Sequence, residues 1–380
     1  MTHTTPLGLY IHTPWCVRKC PYCDFNSHAV RNGIPEKNYI DALLRDLKHD
    51  LAMVADRPVS SIFIGGGTPS LISPEAYQRL FEGLQKDLRF SDAIEITLEA
   101  NPGTVEYQKF AEYRALGFNR LSIGIQSFND DMLDKLGRIH GRKEAIAAAE
   151  AAHDAGFSNF NLDIMYGLPS QNPAQALQDL DTARALEPAH LSWYQLTLEP
   201  NTLFYQQPPS LPDDDLLWNI QRQGQAFLQQ SGYQQYEISA YSRHQACLHN
   251  QNYWTFGDYL GIGAGAHSKL SDPQANRIQR RQRRRHPDDY IEQASGLNVI
   301  TRTRILTDNE KILEFMMNAL RLTAGVSIDT FTQRTGLPID MIRNQLNQAI
   351  ESGLLNDTDE QIQPSKQGLR YLNNLLEIFL

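Results

Sequence analysis

The sequence predicts an α/β protein whose first two thirds form a partial (β/α)6 TIM-like barrel. Three observations support this fold: six short runs are rich in β-branched, aromatic or leucine residues, amphipathic helical patterns separate them, and polar or glycine-rich motifs follow most of them. Helices that alternate with strands imply parallel pairing with right-handed crossovers. Six such units fall short of the eight that close a full barrel, so an incomplete barrel is expected.

The strand-like runs lie at 7–12, 61–64, 94–99, 120–125, 159–166 and 191–198. Between the first two, apolar residues recur at helical spacing from Ile40 to Leu51, which gives one stripe for packing against a sheet. The next helix is predicted to start at Pro74, with Ser73 as its N-cap. A further helix should begin in the acidic segment 213–215, because carboxylates favour the positive end of a helix.

Three closely spaced cysteines, Cys16, Cys20 and Cys23, follow the first strand. A [4Fe–4S] cluster normally takes one thiolate per iron, so three cysteines would leave one iron open to a small ligand. Structural zinc is the alternative, with His12 or His28 as the fourth ligand. Disulfides are disfavoured because 4 cysteines in 380 residues do not resemble a disulfide framework.

The other notable motifs also follow strands, where the loops of a parallel barrel converge on one opening. They are the glycine run at 65–69, the segment 99–102 and the end of the fourth strand at 124–126. Glu99 and Asp163 could accept hydrogen bonds from ribose hydroxyls or an ammonium group, and Arg138 could pair with a carboxylate. The sequence therefore predicts a site for a polar, amino-acid-like ligand at the barrel opening.

Composition and charge narrow the class of protein. A net charge of −9 argues against broad binding to nucleic acid, and five arginines between positions 280 and 285 are expected to form a solvated surface loop. The N-terminal sequence lacks the pattern of a signal peptide, and no apolar run approaches the length of a membrane span, so a cytoplasmic protein is expected.

Three regions are expected: a barrel core at 1–235, a connecting region at 236–300, and a small, mainly helical, winged-helix-like domain at 301–380. Thr307 and Glu310 form a predicted capping box at the start of the last region, and Ser327 should begin another helix. This region carries 8 basic and 10 acidic side chains, which disfavours a phosphate-binding face. It is expected to cover the barrel or to meet a protein partner.

Taken together, these motifs resemble the radical S-adenosylmethionine (radical SAM) superfamily, and within it the oxygen-independent coproporphyrinogen III dehydrogenase-like group. The motifs are Tyr10 with CxxxCxxC, GGGTP (65–69), EANP (99–102), GIQSF (124–128), LGRIH (136–140) and DIMYGLP (163–169). The resemblance implies a radical SAM-type barrel and a [4Fe–4S] cluster on the three cysteines, with S-adenosylmethionine on the open iron. The positions that match S-adenosylmethionine contacts are Tyr10, Tyr22, Gly66, Gly67, Thr68, Glu99, Gln126, Arg138 and Asp163.

Two departures from the pattern of the dehydrogenases favour the other branch of this group. Phe25 stands where the dehydrogenases carry a further cysteine, and their long N-terminal extension is absent. The segment 249–254 matches the HNxxYW motif of HemW-type heme chaperones, which implies heme binding, with His249 as an axial ligand. Imidazole is a common heme ligand, and Tyr253 and Trp254 could stack on a porphyrin. On residues alone, a satisfied structural histidine is the alternative.

The expected function is therefore a heme chaperone that passes heme to apo-hemoproteins. Its acceptor would be a hemoprotein such as a respiratory cytochrome, with transient membrane association if that acceptor lies in a membrane complex. An electron donor for the cluster is also implied, a homodimer is left open, and no nucleic acid partner is expected. The alternative is a radical SAM enzyme acting on a porphyrin, such as the dehydrogenase itself.

Overall fold

A computed structural model describes residues 5–31, 33–54, 56–103, 108–272, 274–358 and 360–380. The strands of its large mixed sheet are β1 (Leu7–Thr13), β2 (Val59–Gly66), β3 (Phe90–Ala100), β4 (Arg120–Gln126), β5 (Phe160–Tyr166), β6 (His190–Gln195), β7 (Gln234–Glu237), β8 (Ala240–Ser242), β9 (Asp258–Ile262), β10 (His267–Asp272), β11 (Arg277–Arg283) and β12 (Ile300–Ile305). Their order across the sheet is β12-β11-β10-β9-β1-β2-β3-β4-β5-β6-β8-β7.

The helices before the sheet's last strands are α1 (Glu36–Leu47), α2 (Leu51–Val54), α3 (Pro74–Asp87), α4 (Phe110–Ala115), α5 (Asp130–Lys135), α6 (Arg142–Asp154), α7 (Pro173–Ala185), α8 (Leu203–Gln206), α9 (Asp214–Gln230), α10 (Leu248–Trp254) and α11 (Pro287–Gln293). Those after them are α12 (Asp308–Ala319), α13 (Ile328–Thr335), α14 (Arg343–Glu351), α15 (Lys366–Arg370) and α16 (Leu372–Glu377).

The predicted barrel is confirmed. All six expected strands form β1 to β6, and each pairs in parallel with the next. The apolar residues of β1 face the outside of the sheet and alternate with residues that face the barrel interior. The apolar residues of α1 and α3 pack against this outer face. Ser73 caps α3 as predicted, since its hydroxyl accepts the N–H of Ala76 at 3.3 Å.

Two additions extend the barrel. β9 pairs in parallel with β1, which makes it a seventh parallel strand, although the two are some 250 residues apart in the chain. β10, β11 and β12 continue the sheet beyond β9 as antiparallel strands, and β8 with β7 extends its other edge. The sheet therefore stays open, with β12 and β7 at its edges.

The expectation that the arginine run is a solvated loop is wrong, because the run lies on β11 and at its end. Arg283 has an exposed side-chain fraction of 0% and pairs with Asp46 at 2.9 Å and with Asp50 at 2.6 Å. Two buried carboxylates need a cation nearby, and Arg283 supplies it. Arg280 instead pairs with Glu314 of α12 at 2.5 Å and so ties the sheet to the C-terminal helices.

The C-terminal part is small and mainly helical, as expected. Its helices surround a second apolar core that contains Phe315 and Phe331, and a short antiparallel pair joins Val326–Ser327 to Gln361–Ile362. The predicted capping box of Thr307 and Glu310 is present at the start of α12. Among the residues described, no helix has both the length and the apolar character needed to cross a membrane.

Candidate functional site

The three cysteines lie on a loop that leaves the carboxyl end of β1. A short parallel pair, Trp15–Cys16 with His28–Ala29, brings the two ends of this loop together. The N–H of Val30 donates to the carbonyl of Cys16 at 2.9 Å and closes it. All three cysteines are outside any disulfide and partly exposed.

The cysteines and histidines of this loop are not arranged around a single metal ion. Within the described ranges, no three His, Cys, Asp or Glu side chains are gathered as ligands of one metal ion. His12, one candidate fourth zinc ligand, has both ring nitrogens in hydrogen bonds, to the Tyr10 hydroxyl at 3.0 Å and to the Asn26 carbonyl at 2.8 Å. A cubane takes each thiolate at a different iron, so its cysteines need not converge on one point.

The glycine run packs directly on the start of the cysteine loop. The N–H of Gly67 donates to the carbonyl of Thr13, and the N–H of Thr68 donates to the carbonyl of Trp15, each at 2.6 Å. A β-carbon at Gly67 would lie 2.4 Å from that Trp15 oxygen. Gly67 is therefore required for close backbone approach, which fixes the loop relative to β2.

Two carboxylates, Glu99 and Asp163, face each other inside the opening. The N–H of Gly66 donates to Glu99 at 3.0 Å, while burial and the nearby charge of Asp163 raise the pKa of Glu99 to about 7. Asp163 accepts hydrogen bonds from Ser122 at 3.1 Å and from Asn161 at 2.8 Å, and burial raises its pKa. A cationic group or hydroxyls placed beside this pair would favour the ionised form of both.

Arg138 brings a fixed guanidinium next to the cysteine loop. Its Nη2 donates to the Asn101 side chain at 2.6 Å and to the Gly124 carbonyl at 2.7 Å, and its Nη1 lies 3.6 Å from the sulfur of Cys20. These groups border a cavity of about 230 Å³. The cavity is lined by Val17, Arg18, Cys20, Thr68, Asn101, Pro102, Gly103, Gly137, Arg138, Ile139, His140 and Glu144.

The remaining predicted residues lie around the same opening. Tyr10 bonds to His12 on β1, and Tyr22 packs against Phe204 of α8 with ring centroids 6.3 Å apart. Gln126 ends β4 with a φ of 70°, a value that is rare for any residue except glycine. Three of the twelve residues predicted for the cluster and for S-adenosylmethionine, Cys20, Thr68 and Arg138, line the cavity itself. The others lie on the cysteine loop or on β1 to β5 and the loops that follow them.

Sequence reasoning missed two residues of this site. Asn101 donates to the Thr68 hydroxyl at 2.7 Å and accepts from Arg138, so it joins two predicted residues. Tyr194 donates to the Gln126 side chain at 2.8 Å. Signals for both were present, because Asn101 follows directly after β3 and Tyr194 lies on the inward alternation of β6.

His249 lies at the other end of the barrel. It belongs to α10, which closes the amino-terminal end of the strands, and it is 1% exposed. Its Nδ1 bonds to the Ser61 hydroxyl at 2.8 Å, and its ring stacks on Phe63 with centroids 5.2 Å apart. Burial and the charge of Arg120 lower the pKa of His249 to about 3, so the imidazole is neutral.

One nitrogen of this imidazole is free. The Nε2 of His249 is buried and has no hydrogen-bond partner among the described residues. A histidine that ligates a metal through Nε2 usually donates its Nδ1–H to a carboxylate, a carbonyl or water, and the Ser61 hydroxyl can accept that hydrogen here. The rest of the segment is packed, with Tyr253 against His249 and Trp254 under the guanidinium of Arg321.

Comparisons with known proteins agree with this geometry. The Radical SAM superfamily model matches residues 10–183, and the HemN C-terminal domain model matches residues 306–371. The chain is 50% identical to heme chaperone HemW of Escherichia coli strain K12, across all of both chains. It is 32% identical to heme chaperone HemW of Bacillus subtilis strain 168, across 98% of both.

Two further similarities cover nearly the whole chain. The mitochondrial radical S-adenosyl methionine domain-containing protein 1 of Mus musculus is 33% identical across 98% of this chain and 87% of its own. Among solved structures, coproporphyrinogen III oxidase (HemN) from Escherichia coli, described as a radical SAM enzyme, superimposes with a TM-score of 0.84 at 27% identity. That match covers 99% of this chain and 90% of HemN.

Proposed function

We propose, because the chain belongs to the radical SAM superfamily and within it to the heme chaperone HemW family, that this protein binds heme and transfers it to apo-hemoproteins. The observation that carries the proposal is the end-to-end similarity to proteins of that name, at 50% identity. Phe25, which is 59% exposed beside the cysteine loop, is consistent with it, since a dehydrogenase would carry a further cysteine there.

Cys16, Cys20 and Cys23 would hold a [4Fe–4S] cluster, and the open iron would take S-adenosylmethionine. When bound, this pair supplies one-electron reducing chemistry. Arg138 would neutralise the carboxylate of the ligand, and Glu99 with Asp163 would accept hydrogen bonds from its ammonium or ribose. The other contacts proposed for S-adenosylmethionine are Tyr10, Tyr22, Gly66, Gly67, Thr68 and Gln126.

His249 is the proposed axial ligand of heme. Its Nε2 has the chemistry required, because it is neutral and without a partner while Nδ1 is held by Ser61. Three histidines of the described residues have a buried ring nitrogen without a hydrogen bond, which costs stability. Of these, only His249 lies in the HNxxYW segment, which supports a ligand role for it.

The partners follow from this function. An apo-hemoprotein would accept the heme, for example a cytochrome of a respiratory membrane complex, and a redox protein would reduce the cluster. We propose a cytoplasmic location with transient membrane contact during transfer, a mainly protein-facing role for residues 301–380, and no nucleic acid partner. A homodimer is compatible with this proposal.

A second candidate is a radical SAM enzyme that acts on a porphyrin. The similarity in fold to coproporphyrinogen III oxidase favours it, with a TM-score of 0.84 over 99% of the chain. So does the position of the predicted S-adenosylmethionine contacts on the cysteine loop and on β1 to β5 with the loops that follow them. The two functions differ in one measurable respect, because a chaperone returns heme unchanged whereas the enzyme consumes coproporphyrinogen.

The test is a heme titration of the anaerobically reconstituted protein, followed by absorbance in the Soret region. We expect one heme per chain, a loss of that spectrum in His249→Ala, and an unchanged spectrum in His244→Ala, whose exposed side chain lies five residues upstream. Transfer to an apo-cytochrome should follow. Decarboxylation of coproporphyrinogen III by the same preparation would overturn the proposal in favour of the enzyme.

A further inference from the structure

A carboxylate inside the barrel accepts three hydrogen bonds from the start of α10. Glu95, on β3 and 7% exposed, accepts the thiol of Cys247 at 3.2 Å and the N–H groups of Leu248 and His249 at 3.1 Å each. A carboxylate at a helix N-terminus both satisfies free N–H groups and complements the helix dipole. Glu95 therefore holds the segment that carries His249 against the barrel wall.

The other end of α10 is anchored by different and more extensive contacts. Asn252 donates to the carbonyl of Asp258 at 2.8 Å, and Asp258 itself pairs with Lys269 at 3.1 Å and Arg57 at 2.7 Å. The guanidinium of Arg321 lies 4.2 Å from the ring centre of Trp254. The two ends of α10 are therefore held by different groups.

His249 cannot meet a porphyrin in the closed arrangement. A β-carbon at Gly8 would lie only 3.2 Å from its Cε1, so the ring fills the space that this glycine leaves. Phe63 and Tyr253 contact the ring from two other directions, with centroids 5.2 and 4.6 Å away. The unpartnered Nε2 is therefore enclosed by protein, and ligation of a heme iron requires α10 to move.

We propose that Glu95 is a positioning residue that latches α10 shut, and that release of this latch exposes His249 to heme iron. The helix then opens from its first turn, and the contacts of Asn252 and Trp254 serve as the hinge. Cys247 and Leu248 move outward with His249, while Ser61 loses its hydrogen bond to the imidazole. This inference rests on the proposed function only where it names heme as the ligand.

The latch can be tested without heme. Cys247 is the one cysteine outside the cluster loop, it is 0% exposed, and its thiol contacts Glu95 directly. Its alkylation by N-ethylmaleimide, followed by peptide mass spectrometry of the cluster-loaded protein, reports opening of the first turn. Glu95→Gln keeps the size but removes the charge, so we expect Cys247 to react roughly 10- to 100-fold faster. Glu95→Asp should restore part of the protection.

Glu310→Gln is the control for loss of a carboxylate at a helix start, because it makes the same change in the capping box of α12, where the side chain is 34% exposed. It should leave the reactivity of Cys247 at the wild-type rate. Hydrogen exchange should show faster exchange in Glu95→Gln confined to the first turn of α10 and the segment before it. Equal acceleration over the whole chain would mean global unfolding and would overturn the latch.

The second measurement is the rate of heme uptake. We expect Glu95→Gln to take up heme faster by a factor similar to that for alkylation, and the double variant with His249→Ala to lose this gain. Unchanged alkylation of Cys247 would overturn the latch whatever heme does. Faster alkylation without faster heme uptake would overturn the proposal that release of α10 exposes His249 to heme. A wild-type protein that binds no heme at all would overturn the proposed function, and the alkylation rates alone would then decide whether Glu95 acts as a latch.

Discussion

Replacing Glu99 by glutamine should stabilise the ligand-free fold and weaken S-adenosylmethionine binding at the same time. Burial and the neighbouring Asp163 raise the pKa of Glu99 from 4.5 to about 7. The folded protein thus binds this proton more tightly than the unfolded chain does. Ionisation of Glu99 therefore costs stability, a penalty absent below about pH 4.5 and complete above about pH 7.

The size of the penalty follows from the pKa difference. Each pKa unit corresponds to about 1.4 kcal/mol, and because the carboxylate is partly open to solvent we expect a penalty of about 1–3 kcal/mol. Glutamine can still accept the N–H of Gly66 but carries no charge, so it removes this penalty. The variant should therefore gain about 1–3 kcal/mol in its free energy of unfolding at pH 8 and almost nothing at pH 4.5.

Ligand affinity should move in the opposite direction. A hydrogen bond to a charged group contributes about 1.5–3 kcal/mol, so losing the carboxylate should weaken S-adenosylmethionine binding by roughly 10- to 150-fold. Denaturant titration of the ligand-free protein at the two pH values measures the first effect. Anaerobic calorimetry with the cluster in place measures the second, and wild-type binding should tighten as pH rises through about 7. A variant that is less stable at pH 8, or that binds the ligand normally, would refute this reasoning.

Three further substitutions test separate parts of the structure. Arg138→Lys keeps the charge but loses the forked geometry, so S-adenosylmethionine should bind at least 10-fold more weakly by calorimetry while the cluster still assembles. Gly67→Ala places a β-carbon 2.4 Å from the carbonyl oxygen of Trp15, so iron content after reconstitution should fall sharply; a full cluster would contradict that packing. Arg283→Gln leaves the buried Asp46 without its cation and Asp50 with Arg281, and it should cost about 3–5 kcal/mol in denaturant unfolding. The exposed Arg184→Gln should cost less than about 1 kcal/mol, and equal losses in these last two variants would show that burial of the arginine is not decisive.

The barrel could be predicted from the sequence because its signals are local. Apolar strand runs, the Ser73 cap and the Thr307 capping box each depend on neighbours within a few residues. The opening was predictable for a related reason. Once parallel pairing is inferred, motifs that follow different strands must meet at the same end, and this brought Glu99 and Arg138 to the cysteine loop.

The misses share a different physical origin. The place of β9 beside β1 depends on pairing across some 250 residues, and no local pattern carries that information. From the sequence alone, Arg283 is expected to be a surface cation. It can be buried because the carboxylates of Asp46 and Asp50, which lie more than 230 positions earlier in the chain, pair with it. His249 shows the same limit, because its motif is local whereas its burial depends on Ser61 and Phe63 of β2.

The two proposed ligand sites lie towards opposite ends of the barrel, and two carboxylates on strand β3 give their separation. Glu95 and Glu99 are four residues apart and point to the same side of the strand, which places their α-carbons about 13 Å apart. The first carboxylate accepts hydrogen bonds from the start of α10, and the second accepts one from Gly66, beside the proposed S-adenosylmethionine site. A porphyrin ligated by His249 would thus lie at the end opposite the cluster, whereas an enzyme that transforms a porphyrin must bring it to the opening beside the nucleotide. The end of the barrel at which a porphyrin binds would therefore separate a carrier from a catalyst in this chain.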